Sequence, residues 1–227
     1  MSLDDALKAR RSVRAFRPDP VPRALIEEIL QVASRAPSGT NIQPWKIHVV
    51  AGEVRERLVR EVLAHRQTGP ADTHAEFPRW AKRKEPYITR MRTLGKAMYG
   101  LLGVPRGDPA ANDRQWARNY QFFDAPVGLM FTIDRRLATG SWLDYGMFLQ
   151  NVMTAARGRG LDTCAQAAWA HYHRAIRPVL GMEDEEIVVC GMALGYADPD
   201  APENSLVTSR TAARTFMRFD GFADGLA

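Results

Sequence analysis

The segment from Trp142 to Ala156 is apolar on almost every face. An ordinary surface helix confines its apolar residues to one stripe, so a helix of this kind must be enclosed by other elements. The chain supplies candidates on either side. Val127 to Asp134 and Glu186 to Tyr196 are apolar runs of strand length, rich in Val, Ile and Met, and read as buried strands. A third strand is expected at Lys46 to Ala51, where Ile47 and Val49 alternate with other residues.

Helices precede and separate these strands. Ser2 stands before Leu3, Ala6 and Leu7, with Asp5 three residues on, the pattern of a helix N-cap, and this helix should end near Arg10. Pro22 is placed to open a second helix with Leu25, Ile26, Ile29, Leu30 and Ala33 inward, stopped by Pro37, Ser38 and Gly39. Glu53 to Arg66 reads as a surface helix turning Val54, Leu58, Val62 and Leu63 inward. Residues 67–118 change character: prolines interrupt short basic helical pieces such as Pro86 to Leu102, and no independent core is visible. We read them as a helical insertion within one domain spanning 1–227. The resulting order is α-α-β-α-insertion-β-α-α-β-tail. Doubly wound parallel folds alternate more regularly, so an α+β sandwich of helices on a short mixed sheet is expected.

Composition narrows the function classes. Lys and Arg (31) exceed Asp and Glu (26), a formal charge of +5, with arginines concentrated in 8–23, 55–66 and 79–118. Such surfaces attract polyanions, phosphorylated cofactors or acidic substrates alike, but no nucleic-acid recognition motif accompanies them. Cys164 and Cys190 are the only cysteines, which suits neither a disulfide framework nor a zinc site and fits a reducing compartment. The N-terminus lacks the apolar stretch of a signal peptide, and no run is long enough to span a membrane. A cytoplasmic protein is expected.

Two clusters carry chemistry. If the chain leaves the first helix extended, Arg10, Ser12 and Arg14 fall on one side. They form either a cradle for a phosphate and a polyol or a solvated basic helix end. Pro37-Ser38-Gly39-Thr40-Asn41-Ile42-Gln43-Pro44-Trp45 concentrates hydrogen-bonding side chains directly before a strand. It is either a reader of the polar edges of a heterocycle or a well-capped loop.

Taken together, Arg-Arg-Ser-x-Arg-x-Phe at 10–16 and Ala-Pro-Ser-Gly-Thr-Asn-x-Gln-Pro-Trp at 36–45 resemble the N-terminal signature of the nitroreductase family. The resemblance continues through Gly160 to Gln166 and Gly191 to Tyr196 and ends at Arg210. Four motifs in order are far more specific than any one of them. The resemblance implies a three-layer α+β sandwich with a mixed, mostly antiparallel sheet, assembled as an interlocked homodimer with FMN at the subunit interface. It implies that Arg10, Arg11, Ser12 and Arg14 hold the phosphate, ribityl chain and pyrimidine edge. Pro37, Ser38, Gly39 and Asn41 would reach the same flavin from the other subunit. Ala165, Gln166 and Ala167 would lie beside the ring, and Arg210 would complete the phosphate site. NADPH or NADH would be the electron donor, and nitroaromatics, quinones or similar small molecules the acceptors. The flavin N5 would carry the chemistry, with no catalytic side chain, no metal and no nucleic-acid or membrane partner.

Other residues are assigned to packing. His48, His171 and His173 lack the spacing of a metal site, Cys164 reads as a small buried residue, and Trp169 and Phe148 read as core. Asn119 or Gln121 is a weaker candidate for flavin contact. The insertion is longer and more basic than in the smallest family members. Arg79, Lys82, Arg83, Lys84, Arg90 and Arg92 either steer an anionic substrate or solvate a helix face. Other flavin chemistry on the same fold, such as reductive dehalogenation, enoate reduction or flavin oxidation, and a non-enzymatic flavin carrier are the alternatives.

Overall fold

The computed structural model describes residues 1–69, 71–72, 84–105 and 107–221. A four-stranded antiparallel sheet forms its middle layer, in the order β1-β2-β4-β3, from Lys46–Ala51 (β1), Val127–Asp134 (β2), Asp162–Gln166 (β3) and Glu186–Gly195 (β4). The parallel component of the sheet is a single bridge at its edge, Ser12 to Thr163.

The helices follow from local chemistry. Leu3–Ala9 (α1) opens with a capping box in which Ser2 Oγ accepts from the Asp5 N–H at 3.1 Å and Asp5 accepts from the Ser2 N–H at 3.3 Å. Arg23–Ala33 (α2) begins after Pro22 and turns Ile26, Ile29 and Ala33 inward. Its end comes ahead of the Pro37 to Gly39 stop, with Ser34 as C-cap. The remaining helices are Gly52–Thr68 (α3), Tyr87–Leu101 (α4), Pro109–Ala117 (α5), Thr139–Gly158 (α6) and His173–Leu180 (α7). The segment 67–118 thus holds the end of α3, then α4 and α5.

Strand alternation divides the core into two layers. From β2, Val127, Leu129, Phe131 and Ile133 pack toward α2 and α6 with Ile29, Tyr145 and Phe148. Met130 faces the opposite layer, with Leu58 and Val62 of α3, Ile176 of α7, and Tyr120, Phe122 and Trp169. This is the period-two pattern of a sheet covered on both sides. The pairing shifts between Phe131 and Thr132, where Phe131 faces Cys190 and Thr132 faces Val188. The bulge leaves Val189 and Cys190 together in the α6 layer. Tyr145 adds a polar tie, its hydroxyl lying 2.8 Å from the Lys46 carbonyl and 2.9 Å from that of Thr132.

Two expectations are corrected. The order places a strand, β3, between α6 and α7, where helix was expected to follow helix. In addition, α6 is not enclosed by its own chain. Tyr145, Phe148 and Val152 are buried, while Leu143 on the other side is 71% exposed and Gly146 is exposed as well. Among the described residues, α1, α2 and the sheet pack against the helix but leave the side bearing Leu143 and Gly146 open.

Candidate functional site

The site is built on the sheet edge. Leaving α1, the chain runs extended beside β3: Ser12 bridges to Thr163, and the Val13 N–H donates to the Thr163 carbonyl at 3.1 Å. Val13 is buried, whereas its neighbours Ser12 and Arg14 keep access to solvent, the alternation expected of an extended segment. Asn204, which sequence reasoning did not single out, fixes this run. Its carbonyl oxygen accepts from the Arg14 N–H at 2.8 Å, and its amide donates to the carbonyls of Ala15 and Asp198, each at 2.8 Å. In the sequence Asn204 looks like an ordinary turn residue, and only the tertiary structure reveals its reach across 190 positions.

That clamp lays the tail 206–211 against the N-terminal segment. Between them opens a cleft of about 730 Å³, bordered by Arg10, Arg11, Ser12, Arg14 and Arg210, with α4 on a further side. Arg210 is held over its own loop, donating to Thr208 Oγ1 at 2.7 Å. The expected grouping of Arg10, Ser12, Arg14 and Arg210 is therefore present in space.

The donor set is cationic, offset among the described residues only by a minor charge interaction between Arg11 and Asp162. Among the described residues no carboxylate pairs with Arg10, Arg11, Arg14 or Arg210, and none lines the cleft. Asp162, the acid on the adjoining strand, is taken by Arg157 through two 3.0 Å contacts. Burial raises its carboxyl above the ordinary value, against the pull of Arg157. Guanidiniums without counter-ions, beside hydroxyls, suit a phosphate ester. The residues present therefore fit the phosphate end of FMN.

Further along β3, Ala165 is exposed, and Ala167, the first residue after the strand, is exposed as well. Such small side chains let a planar group approach the main chain. Gln166 between them behaves differently: the whole residue is only 3% exposed, and its side-chain amide donates to the Asn119 carbonyl at 2.6 Å. Its Oε1 is buried without a partner. The Gln121 carbonyl accepts from Arg55 at 2.8 Å, so the carbonyls of both Asn119 and Gln121 have partners within the protein. Cys164 is buried as expected, and desolvation pushes its thiol up to about 11 against the opposing effects of Arg14, Ser12 and Arg10.

The Pro37 to Asn41 loop is elsewhere. None of the residues bordering the cleft comes from it. The loop sits at the start of α6, where the Gly39 N–H donates to Asp144 at 3.1 Å and Ser38 Oγ accepts from the Gln43 N–H at 3.0 Å. Thr40, Asn41 and Gln43 take left-handed backbone angles, with φ of 49°, 60° and 50°. Asn41 is exposed.

The histidines serve other ends. His65 and His173 lie 3.5 Å and 3.8 Å from Asp72, and His48 contacts Glu186 at 3.1 Å. Among the described residues no group of three or more His, Cys, Asp or Glu side chains could hold a metal ion. None of their helices is long and apolar enough to cross a membrane. Of the basic insertion, Arg79, Lys82 and Arg83 lie outside the described residues, while Lys84, Arg90 and Arg92 are exposed.

The protein is an α+β sandwich with a cationic cleft at the edge of an antiparallel sheet, an arrangement suited to an anionic group. Within that class of fold, the chain belongs to the nitroreductase family, whose family model matches residues 7–196. It is 45% identical to a 4-nitrobenzoate reductase of Pseudomonas putida and 41% identical to a nitrobenzene nitroreductase of Ectopseudomonas oleovorans, in each case over 96% of both chains. The crystal structure of the FMN and NADPH-dependent nitroreductase NfnB from Sphigopyxis sp. strain HMH matches it with a TM-score of 0.92 at 38% identity. That match covers 98% of this chain and 100% of the other.

Proposed function

We propose that this chain is an FMN-dependent oxidoreductase that passes electrons from NADPH or NADH to nitroaromatics, quinones or similar small acceptors. The observation that carries this reading is the convergence of Arg10, Arg11, Ser12, Arg14 and Arg210 on one cleft without a carboxylate among the described residues. In this reading Arg10, Arg14 and Arg210 neutralise the phosphate, and Arg11 and Ser12 reach the ribityl chain and pyrimidine edge. Ala165, Gln166 and Ala167 border the ring through their main chain. Bound FMN supplies the electron transfer, and the protein's part is to hold it, leave one face open and exclude bulk water.

The assembly follows from the same geometry. Pro37, Ser38, Gly39 and Asn41 are remote from the cleft of their own chain, so they serve the cleft of a partner in a homodimer. The exposed side of α6 and the tail, where Val207 is 81% exposed, are the surfaces left to be covered. The chain is one domain, the described helices α4 and α5 of the insertion act as a lid, and two free buried cysteines suit a cytoplasmic setting.

The test is anaerobic. Protein purified with its yellow flavin should bleach on addition of NADPH and recolour on addition of nitrobenzene. Flavin that stays yellow in the presence of either donor would mark a carrier rather than an enzyme.

A further inference from the structure

The far wall of the cleft has its own chemistry. Thr89, Arg90, Thr93, Leu94 and Ala97 of α4 all border it. Their spacings of three, four and five residues place them along one side of the helix. Arg90 is exposed and, among the described residues, has no carboxylate partner. Arginines that border the core behave otherwise: Arg66 pairs with Asp113, Arg118 with Glu203, Arg157 with Asp162 and Arg159 with Glu28.

Charge counting shows why this matters. With Arg90 the cleft is bordered by five arginines and, among the described residues, no acid. A phosphate monoester carries about two negative charges at neutral pH, so roughly three positive charges remain once the cofactor is seated. An uncompensated cationic cleft concentrates anions. Of these charges Arg90 is the one on the α4 side, where Leu94 and Ala97 also border the cleft.

We propose that Arg90, flanked by the Thr89 and Thr93 hydroxyls, is the specificity-determining residue for an anionic substituent on the acceptor. The acceptor class is then an aromatic nitro compound bearing a carboxylate. Its ring lies against Leu94 and Ala97, and its carboxylate pairs with Arg90. This rests on the reading of the cleft as a flavin and acceptor site.

The experiment uses the FMN-loaded protein as wild type, Arg90→Gln and Arg90→Lys. Benzoate, a carboxylate that cannot be reduced, is titrated by calorimetry, with benzamide as the neutral control. In parallel, kcat/KM is measured for a nitrobenzoate and for nitrobenzene at saturating NADPH. Arg90→Gln is expected to weaken benzoate binding about fivefold, the size of one partly exposed charge-assisted contact. The nitrobenzoate-to-nitrobenzene ratio should fall by a similar factor, and Arg90→Lys should recover part of both.

Unchanged benzoate affinity and an unchanged ratio in Arg90→Gln would overturn the proposal. So would a raised KM for NADPH with benzoate binding intact, because Arg90 would then serve the donor's phosphate. Loss of FMN from Arg90→Gln would equally overturn it, making Arg90 part of the cofactor cradle. If the wild type reduces neither acceptor, the functional reading fails, and the benzoate titration still decides the anion site.

Discussion

The indole of Trp169 packs against the backbone of Gly191 so closely that a Cβ there would stand 2.3 Å from its Cδ1. The same indole stacks on Phe122 at 4.4 Å, and Phe122 in turn covers Gly128, where a Cβ would stand 2.4 Å from the ring. Two glycines of adjacent strands thus admit an aromatic pair onto the sheet. Gly191→Ala should displace Trp169 and cost about 1–3 kcal/mol, the usual price of overpacking. For a chain of this size each kcal/mol lowers Tm by about 2–4 °C. Thermal melts check this, and a variant melting with the parent would mean that the indole slides freely.

The cationic cradle gives a second prediction. If Arg14 and Arg210 hold the flavin phosphate as proposed, Arg14→Glu and Arg210→Glu each replace attraction by repulsion, and the purified variants should be colourless while retaining native circular dichroism. Alanine at either position should be milder, because the other arginines still balance part of the charge. The ratio of flavin to protein absorbance reads the result, and fully yellow Glu variants would remove these residues from the cofactor site.

Much of this was legible in the sequence, and the gaps have physical causes. β1 and β2 match their expected limits because their residues alternate or form an apolar run bounded by turns. β3 was missed because Asp162, Thr163, Cys164, Ala165 and Gln166 carry no apolar period, and the sheet inverts what hydropathy suggests by burying Gln166 and exposing Ala165. The positive φ angles of Phe122 and Phe123, 53° and 51°, had no local signal, since bulky residues rarely adopt them. Packing against Trp169 holds Phe122 there. In the site, spacing put Arg10, Ser12 and Arg14 on one side but left a solvated helix end open. Arg210 joined them only through the family resemblance, and the fixation by Asn204 had no local signal because that contact is wholly long-range.

Stability at acid pH should report on Glu186. Burial alone would raise its carboxyl, but hydrogen bonds with Thr132 at 2.7 Å and His48 at 3.1 Å, aided by the charges of His48 and Lys46, hold it below the usual value near 4.5. A carboxyl lowered on folding stabilises the protein fully above its unfolded value, and that contribution is lost as pH falls through the folded one. Wild-type Tm should therefore drop between about pH 5 and about pH 3 more than that of Glu186→Gln, which starts lower at neutral pH. Parallel pH profiles for the two proteins would show that the cluster contributes nothing linked to protons.

Kinetics test the use of one cleft in turn. If donor and acceptor share it, the oxidised nicotinamide must leave before the nitro compound enters, and double-reciprocal plots should be parallel. Intersecting lines together with a detectable ternary complex would require a second nucleotide site.

Mixed dimers test whether the site is shared. One variant is crippled at Arg14, a second at both Ser38 and Asn41. If the chain dimerises as proposed, refolding the two together should give roughly half heterodimers. In each heterodimer one site collects both defects and the other none, so about a quarter of full activity should return. Confirmed heterodimers with no recovery would place the loop 37–41 in its own chain's site.

The two walls of the cleft meet at the Pro202–Ser205 turn but are held to very different degrees. The N-terminal strand segment and the tail are tied into the sheet through Thr163 and Asn204. By contrast α4 buries only Met98 and has the Pro202–Ser205 turn as its main neighbour among the described elements. Changes along α4 are therefore cheap for the scaffold: the helix can exchange side chains without loosening the cradle. A lineage built this way can explore new acceptors by drifting at positions such as Thr89, Arg90 and Thr93 while its cofactor affinity stays under separate selection.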